Sequence, residues 1–133
     1  MNMKNTLILL AGLALASPLA AGDTSPARLL EQFEAAAGTS GSAERGRALF
    51  TARHSGGKPD TPSCTTCHGT DLRAFGKTRA GKPIEPMALS VNPARLTDSK
   101  KAAKWFRRNC KSVLGRECTA AEKADVVAYL MSI

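Results

Sequence analysis

The chain has 133 residues, a formal net charge of +8 and four cysteines. This length allows one domain, whose apolar core is marginal without a covalent cross-link or a bound cofactor. A basic charge often indicates binding to nucleic acid or to an anionic membrane. An exported protein meets neither nucleic acid nor the cytoplasmic face of a membrane. For such a protein an acidic protein partner is favoured instead.

Residues 1–22 have the pattern of a signal peptide. Lys4 supplies the positive charge, residues 7–15 form an apolar run, and residues 19–22 provide small side chains for cleavage. The apolar stretch of residues 6–16 is shorter than the roughly 20 residues of a membrane-spanning helix, so cleavage is favoured over a membrane anchor. We expect a periplasmic protein without a stable membrane span, whose mature chain begins near Gly22 or Asp23.

Residues 23–41 are predicted to form a helical extension followed by a linker. Ser25 is a suitable N-cap, Pro26 is favoured at the first helical position, and Gly38 is a typical stop. The helix has one apolar face, made of Leu29, Leu30 and Phe33. Glycine and serine at positions 38–42 predict a flexible joint, so we expect the helix to be an appendage of a domain formed by residues 42–133.

A second helix is predicted over residues 43–54, with Ser42 as its cap. Gly46 lies in the middle of this helix, where glycine costs about 1 kcal/mol relative to alanine. We therefore expect another helix to approach closely at Gly46. Residues 55–62 and 76–93 are rich in glycine and proline and are predicted to be loops.

Two more helices are predicted in the second half of the chain. Thr97 or Asp98 can cap a helix that ends near Arg108. Its inward face is predicted to consist of Ala102, Trp105 and Phe106. Thr119 and Glu122 have the capping-box spacing and open a last helix. The apolar face of that helix is Val126, Val127, Tyr129 and Leu130. The sequence has no strand pattern of useful length, so the predicted fold class is all-α.

The sequence Cys64-Thr65-Thr66-Cys67-His68 matches the attachment pattern of haem c. Two thiols in one helical turn can bond to the two vinyl groups of a haem, and the adjacent histidine can bind the iron. A zinc site built from both cysteine pairs is disfavoured, because Cys110 and Cys118 lie eight residues apart. A thioredoxin-like dithiol is disfavoured because no βαβ pattern surrounds the motif. We predict one covalently bound haem c.

Other segments resemble two groups of cytochromes. Gly46 and Phe50, with Tyr129 near the end of the chain, resemble the crossed first and last helices of class I cytochromes c. Residues 87–93, 104–110 and 113–118 read MALSVNP, KWFRRNC and VLGREC. These segments resemble the signature of the sphaeroides haem protein family, whose members are small monohaem cytochromes c that bind oxygen. The resemblance covers residues 42–133 and implies a class I-like fold around one haem.

The family resemblance also implies roles for individual residues. It implies that His68 is the proximal iron ligand, that Asn109 is the sixth ligand of ferric iron, and that Cys110 and Cys118 form a disulfide. It further implies that reduction releases Asn109, so that the ferrous haem binds oxygen or nitric oxide. A dihaem cytochrome c and a membrane cytochrome b are the implied electron donors. We expect such a chain to be a redox and gas-binding protein before it is an enzyme.

The residues alone leave other functions open. By itself, Asn109 is typical of a helix C-terminal cap. Met87 or His54 could be a permanent sixth ligand, which would make the protein a plain electron carrier, and an open ferrous site could reduce nitrite or peroxide. The cations near Asn109 are interpreted either as a solvated helix face or as a docking surface for an acidic redox partner. They are Lys100, Lys101, Lys104, Arg107, Arg108, Lys111 and Arg116.

Overall fold

The computed structural model describes residues 22–133, so the predicted signal peptide lies outside the described residues except for Gly22. The described part of the chain contains five helices and two short strands. They are α1 (Pro26–Ala37), α2 (Ala43–Thr51), α3 (Thr65–His68), β1 (Gly76–Lys77), β2 (Pro83–Ile84), α4 (Ser99–Leu114) and α5 (Ala120–Met131). β1 and β2 form a two-residue antiparallel pair, with Gly76 opposite Ile84. The prediction of an all-α fold is confirmed.

The predicted start and end of the first helix and the predicted start of the last helix are confirmed. At the start of α1, the Ser25 side chain accepts a hydrogen bond from the Arg28 N–H at 3.2 Å, and Gly38 ends the helix at a φ of 67°. Thr119 and Glu122 form the capping box at the start of α5. By contrast, α2 is shorter and α4 is longer than predicted.

Helix α2 crosses α5, and the two helices come into close contact at Gly46. A Cβ atom on Gly46 would overlap the backbone carbonyl of Asp125 and would lie 2.9 Å from the Cβ of Tyr129. The rings of Phe50 and Tyr129 meet nearby, with their centroids 6.0 Å apart. The predicted close approach of another helix at Gly46 is therefore confirmed.

Residues 38–42, which connect α1 to α2, are hydrogen-bonded to the helices around them. The Gly41 N–H donates to the Glu34 carboxylate of α1 at 2.8 Å. The Ser42 N–H donates to the buried Asp125 carboxylate at 2.7 Å, and Arg45 donates to the same carboxylate from Nε and Nη2. Since α1 also packs along α5, the N-terminal extension lies against the last helix of the predicted domain.

Helix α4 is the longest helix of residues 22–133. No helix in this part of the chain is long and apolar enough to cross a membrane. It continues until Gly115, which adopts a positive φ of 74°. Ala102, Phe106, Asn109 and Val113 recur at intervals of four, three and four residues, so they share one face. Ala102 and Val113 are buried, while Phe106 and Asn109 are half-buried.

The prediction that Trp105 faces inward is wrong. Its side chain is 42% exposed, whereas Ala102 is buried. At 3.6 residues per turn, Trp105 lies about 80° from the centre of the face that Ala102 and Phe106 define. At that angle the Lys104 Nζ and the Arg108 Cζ approach its ring centroid to 5.6 Å and 5.3 Å. Cation–π contacts at the surface therefore replace burial in the core.

The main core is a cluster of buried apolar side chains. Its members are Phe50, Leu72, Ala88, Val126 and Leu130. Met87 packs against this cluster from the loop before α4, and Phe106 packs against it from α4. The cluster therefore connects the crossing of α2 and α5 to the inward face of α4.

Candidate haem site

The haem attachment motif lies on one short helix. Cys64 directly precedes α3, Cys67 and His68 end it, and the His68 N–H donates to the Cys64 carbonyl at 3.1 Å. This single helical turn places the two thiols and the imidazole side by side. Both thiols are free and half-buried. The motif thus offers two points for covalent attachment next to a metal ligand.

Burial sets the protonation states of this motif. Burial raises the pKa of the Cys64 thiol to about 11, so the group stays protonated at neutral pH. Burial, and then the positive charge of Arg95, lower the pKa of His68 to about 4. His68 is therefore a neutral imidazole at neutral pH, which is the form that binds a metal ion.

His68 lies in apolar surroundings with one ring nitrogen unsatisfied. Its ring centroid is 5.7 Å from that of Phe50. Its Nδ1 is buried and has no hydrogen-bond partner among residues 22–133. Nearly all buried polar atoms in folded proteins have a partner, so an unpaired one is an exception that needs an explanation. A neutral imidazole in an apolar pocket fits the role of an iron ligand.

Neighbouring segments fix α3 in place. A Cβ on Gly76 would overlap the Cys67 carbonyl and would lie 2.9 Å from the Cα of His68, so β1 passes directly against the motif. On the other side, the buried Ser63 hydroxyl donates to the Phe50 carbonyl at 3.3 Å. The motif is therefore attached to β1 and to α2.

Arg95 is a residue of this site that the sequence reasoning missed. It is half-buried, and its charge acts on His68. Its Nε and Nη2 donate to the Pro86 carbonyl at 3.2 Å and 3.1 Å, and Nη2 also donates to the Glu85 carbonyl at 2.6 Å. Arg95 thus fixes the loop before Met87 and places a positive charge near the motif. No sequence signal distinguishes it from the other cations of the chain.

Asn109 lies in the second half of α4, directly before Cys110, whose disulfide partner Cys118 follows the helix. Cys110 and Cys118 are joined, with their Cα atoms 5.5 Å apart. The disulfide restrains the segment directly after Asn109, which shares the inward face of the helix with Phe106. Phe106 packs against the same core cluster that borders His68. The Asn109 face of α4 and the haem motif thus border one core.

The two alternative sixth ligands have other contacts. Met87 is half-buried and packs against the core cluster, and its N–H donates to the Leu72 carbonyl at 2.9 Å. The Nε2 of His54 lies 2.9 Å from the Leu49 carbonyl oxygen, to which it can only donate a hydrogen bond. These contacts favour Met87 as a packing residue and His54 as a structural residue after α2.

The described residues fit a covalently bound haem and not a zinc ion. Two of the four cysteines form the disulfide. Within residues 22–133, no three His, Cys, Asp or Glu side chains are placed to hold a metal ion together, as a zinc site requires. The two thiols, the neutral imidazole and the apolar surroundings match the attachment chemistry of haem c.

Comparisons with known proteins place the chain among cytochromes. Residues 36–130 match a family model described as a domain of unknown function, DUF1924. The chain is 58% identical over 125 residues to the cytochrome c-type protein SHP of Cereibacter sphaeroides, covering 94% of this chain and 97% of the relative. It is 38% identical over 71 residues to cytochrome c'' of Methylophilus methylotrophus, covering 53% of this chain and 49% of that relative.

Solved structures of these relatives have the same fold. The structure of oxidized SHP, an oxygen-binding cytochrome c, matches with a TM-score of 0.82 and 59% identity, covering 84% of this chain and 100% of that chain. The crystal structure of oxidized cytochrome c'' from Methylophilus methylotrophus matches with a TM-score of 0.69 and 28% identity, covering 80% and 93%. The predicted cytochrome c fold with crossed helices is confirmed. The chain therefore belongs to the family of the cytochrome c-type protein SHP, the sphaeroides haem proteins, and carries one covalently bound haem c.

Proposed function

We propose that this protein is an exported, periplasmic monohaem cytochrome that accepts electrons and binds oxygen or nitric oxide in its reduced state. Cys64 and Cys67 would hold the haem through thioether bonds, and His68 would supply a ligand to its iron. Asn109 would supply a second ligand to the ferric iron, one that reduction would release. The observation that carries this proposal is the half-buried position of Asn109 on the inward face of α4, next to Phe106.

The chemistry of the amide group explains the release of Asn109. The bound haem supplies an iron that changes between the ferric and ferrous states. An amide oxygen is a hard, weak donor that suits ferric iron better than the softer ferrous iron. Reduction would therefore weaken the bond that Asn109 would make to the iron. SHP is an oxygen-binding cytochrome c, and a solution structure of cytochrome c'' concerns haem-ligand detachment in that protein, so both relatives support a ligand that can leave.

The outer face of α4 supports docking of an acidic electron donor. Every cation of the cluster identified in the sequence is exposed. Trp105 is exposed between Lys104 and Arg108, and tryptophan and arginine are the residues most often found as anchors of protein interfaces. A groove of about 580 Å³ continues this surface and is lined by Lys58, Arg107, Arg108, Lys111, Ser112, Gly115, Arg116 and Glu117. We propose a dihaem cytochrome c and a membrane cytochrome b as the donors.

Absorption spectra of the haem-loaded mature protein test the gas-binding proposal. Spectra are recorded without oxygen for the ferric protein, after reduction by dithionite, and after addition of carbon monoxide. We expect a high-spin ferrous spectrum and rapid carbon monoxide binding, because Asn109 no longer occupies the sixth position. A low-spin ferrous spectrum that carbon monoxide does not change would instead identify a permanent strong ligand and a plain electron carrier.

Two variants with the same new residue identify the ligand. Asn109→Leu removes the amide at similar volume, and we expect it to convert the ferric spectrum to high spin while the ferrous protein still binds carbon monoxide. Met87→Leu replaces the thioether by a similar apolar volume, and we expect both spectra to stay unchanged. A ferric spectrum that changes in Met87→Leu but not in Asn109→Leu would assign the sixth position to Met87.

A further inference from the structure

The segment before α1 holds the first turn of α4. The Asp23 carboxylate accepts a hydrogen bond from the Ser99 N–H at 2.8 Å and another from the Ser99 hydroxyl at 2.5 Å. The Thr24 N–H donates to the Thr97 carbonyl at 3.3 Å, and a Cβ on Gly22 would overlap that carbonyl. Residues 22–24 therefore lie directly against the chain that enters α4.

Asp23 completes the capping of α4. The N–H groups in the first turn of a helix have no partner within the helix. The Asp98 side chain accepts from the Lys101 N–H at 2.8 Å, and Asp23 satisfies the N–H of Ser99. Both carboxylates lie at the positive end of the helix dipole. The hydrogen bonds from Ser99 hold the pKa of Asp23 below its ordinary value, so Asp23 is charged at neutral pH.

Helix α4 depends on attachments at its two ends. In residues 22–133, α1 and α2 pack along α5, but α4 does not pack along any other helix to a comparable extent. Its C-terminal half is held by the disulfide and by the Lys58 N–H, which donates to the Ser112 carbonyl at 2.8 Å. Its N-terminal half is held by Asp23 and by an edge contact between Phe33 and Phe106, whose ring centroids are 5.7 Å apart.

These attachments lie at different distances from Asn109. At a rise of 1.5 Å per residue, Asn109 is about 15 Å from Ser99 but only about 5 Å from Ser112. A tilt of α4 about its C-terminal attachment therefore moves the first turn far more than it moves Asn109. Loss of the Asp23 contact would therefore loosen the first turn of α4 and the inward face near Ala102, while Phe106 stays packed against the core cluster and Asn109 stays in place.

We propose that Asp23 is a positioning residue for gas binding: by holding the first turn of α4 in place, it restricts the entry of a diatomic gas along the inward face of this helix. This inference rests on the proposed function, because it requires a ferrous iron that accepts a gas. The two ends of α4 then have separate roles. The disulfide keeps Asn109 near the iron, and Asp23 sets the access along the inward face of the helix.

The association rate of carbon monoxide with the dithionite-reduced, haem-loaded protein tests this inference. Asp23→Ala removes both acceptors. Ser99→Pro removes both donors, while proline is favoured at the first helical position and the extended backbone of Asp98, at φ −123° and ψ 112°, suits the residue before a proline. We expect each variant to raise the rate by about twofold to fivefold. This is the factor in an equilibrium constant that corresponds to the free energy of one exposed charged contact. The ferric spectrum stays unchanged because Asn109 remains in place.

A double variant and a charge control separate positioning from a general loss of stability. Asp23→Ala combined with Ser99→Pro is expected to bind carbon monoxide no faster than Ser99→Pro alone, because both changes break the same contact. Asp98→Asn removes a charge from the same helix end but keeps a capping acceptor, and we expect it to bind at the unmodified rate. An equal increase in Asp98→Asn would overturn the inference, since charge rather than the contact would then be responsible.

The failure of this inference is distinguishable from the failure of the proposed function. If the unmodified ferrous protein binds carbon monoxide and neither Asp23→Ala nor Ser99→Pro changes the rate, Asp23 has no positioning role and the proposed function stands. If the unmodified protein does not bind carbon monoxide, the proposed function fails and the inference fails with it.

Discussion

The two regions that carry the proposed iron ligands are built in different ways. On the His68 side, α2 and α5 cross at Gly46, a buried carboxylate at Asp125 joins both helices, and the Ser63 hydroxyl attaches the haem motif to α2. On the Asn109 side, α4 turns an apolar face to the core but is attached mainly at its two ends. The first arrangement suits the permanent ligand that we propose for His68, and the second suits the releasable ligand that we propose for Asn109.

The crossing of α2 and α5 is stabilised by close packing, whereas α4 is held by a few local attachments. A close helix crossing tolerates almost no change of volume, because packed interiors have few voids to absorb an added atom. An end-attached helix depends on a few hydrogen bonds and one covalent bond, each of which can be removed separately. We therefore expect changes at the crossing to affect the stability of the whole protein, and changes at α4 to affect gas binding more than folding.

One added methyl group at Gly46 is expected to have the largest effect. In Gly46→Ala the new Cβ overlaps the Asp125 carbonyl, so the helices must separate and the free energy of unfolding falls by about 3 kcal/mol. Denaturant unfolding of the haem-loaded protein measures this loss. Ala48→Gly is the control, because Ala48 is exposed on the same helix and glycine alone costs about 1 kcal/mol there. A higher free energy of unfolding in Gly46→Ala would contradict the close approach of α2 and α5 at Gly46.

Removal of the disulfide is expected to have the next largest effect. Cys110 and Cys118 are eight residues apart, and loop entropy predicts that Cys110→Ser with Cys118→Ser lowers the free energy of unfolding by about 2.6 kcal/mol. The freed segment also lets Asn109 move, so stopped-flow measurements should show faster nitric oxide binding to the ferrous protein and an altered ferric spectrum. Unchanged binding kinetics would mean that the disulfide does not restrain Asn109.

The features that the sequence predicted correctly are those with local physical causes. The prediction of one haem c depends on a motif within one helical turn, and the helix caps need only the hydrogen-bonding groups of a few consecutive residues. Gly46 indicated a close contact because a mid-helix glycine has a cost in free energy that needs a reason. The prediction that Trp105 faces inward was wrong because this residue lies at the edge of the apolar face, where contacts with neighbouring cations decide its orientation.

The features that the sequence did not reveal depend on pairs of residues far apart in the chain. Asp23 and Ser99 are separated by 76 residues, and no local pattern relates them. Arg95 acts on His68 through space, from a loop whose path is set by hydrogen bonds to backbone carbonyls. The role of Asn109 as an iron ligand stays a prediction, because an asparagine in a helix has no sequence feature that distinguishes a ligand from a cap.

The ion pair between Arg116 and Glu122 joins the loop closed by the disulfide to α5. Its contribution to stability is expected to depend on pH. Arg116 donates to both oxygens of the Glu122 carboxylate, at 2.8 Å and 2.7 Å. The hydrogen bond from Arg116 is the main cause that lowers the pKa of Glu122 from 4.5 to about 2. Because the folded pKa is depressed, the stabilisation is fully present above about pH 4.5 and is lost as the pH falls toward 2.

Glu122→Gln is therefore expected to lower the free energy of unfolding by about 1 kcal/mol at pH 7, a value reduced by solvent screening of a partly exposed pair. The difference from the unmodified protein should shrink between pH 4.5 and pH 2, as followed by thermal unfolding at a series of pH values. Glu117→Gln, at an exposed position of the same loop, serves as the control. A difference that does not depend on pH would contradict the role of the ion pair.

The smallest effect on stability is expected at Trp105. Trp105→Ala should change the free energy of unfolding by no more than about 0.5 kcal/mol, because the exposed ring packs on Lys104 and Arg108 and not on the core. The adjacent Phe106 packs against the core cluster, so Phe106→Ala should cost several times more in the same unfolding assay. Comparing the loss of unfolding free energy in these two variants tests whether α4 has only one packed face. If Trp105→Ala were as destabilising as Phe106→Ala, the outer face of α4 would also be part of the packed structure. The helix could then not move independently of the crossing, and the proposed distinction between a permanent and a releasable iron ligand would fail.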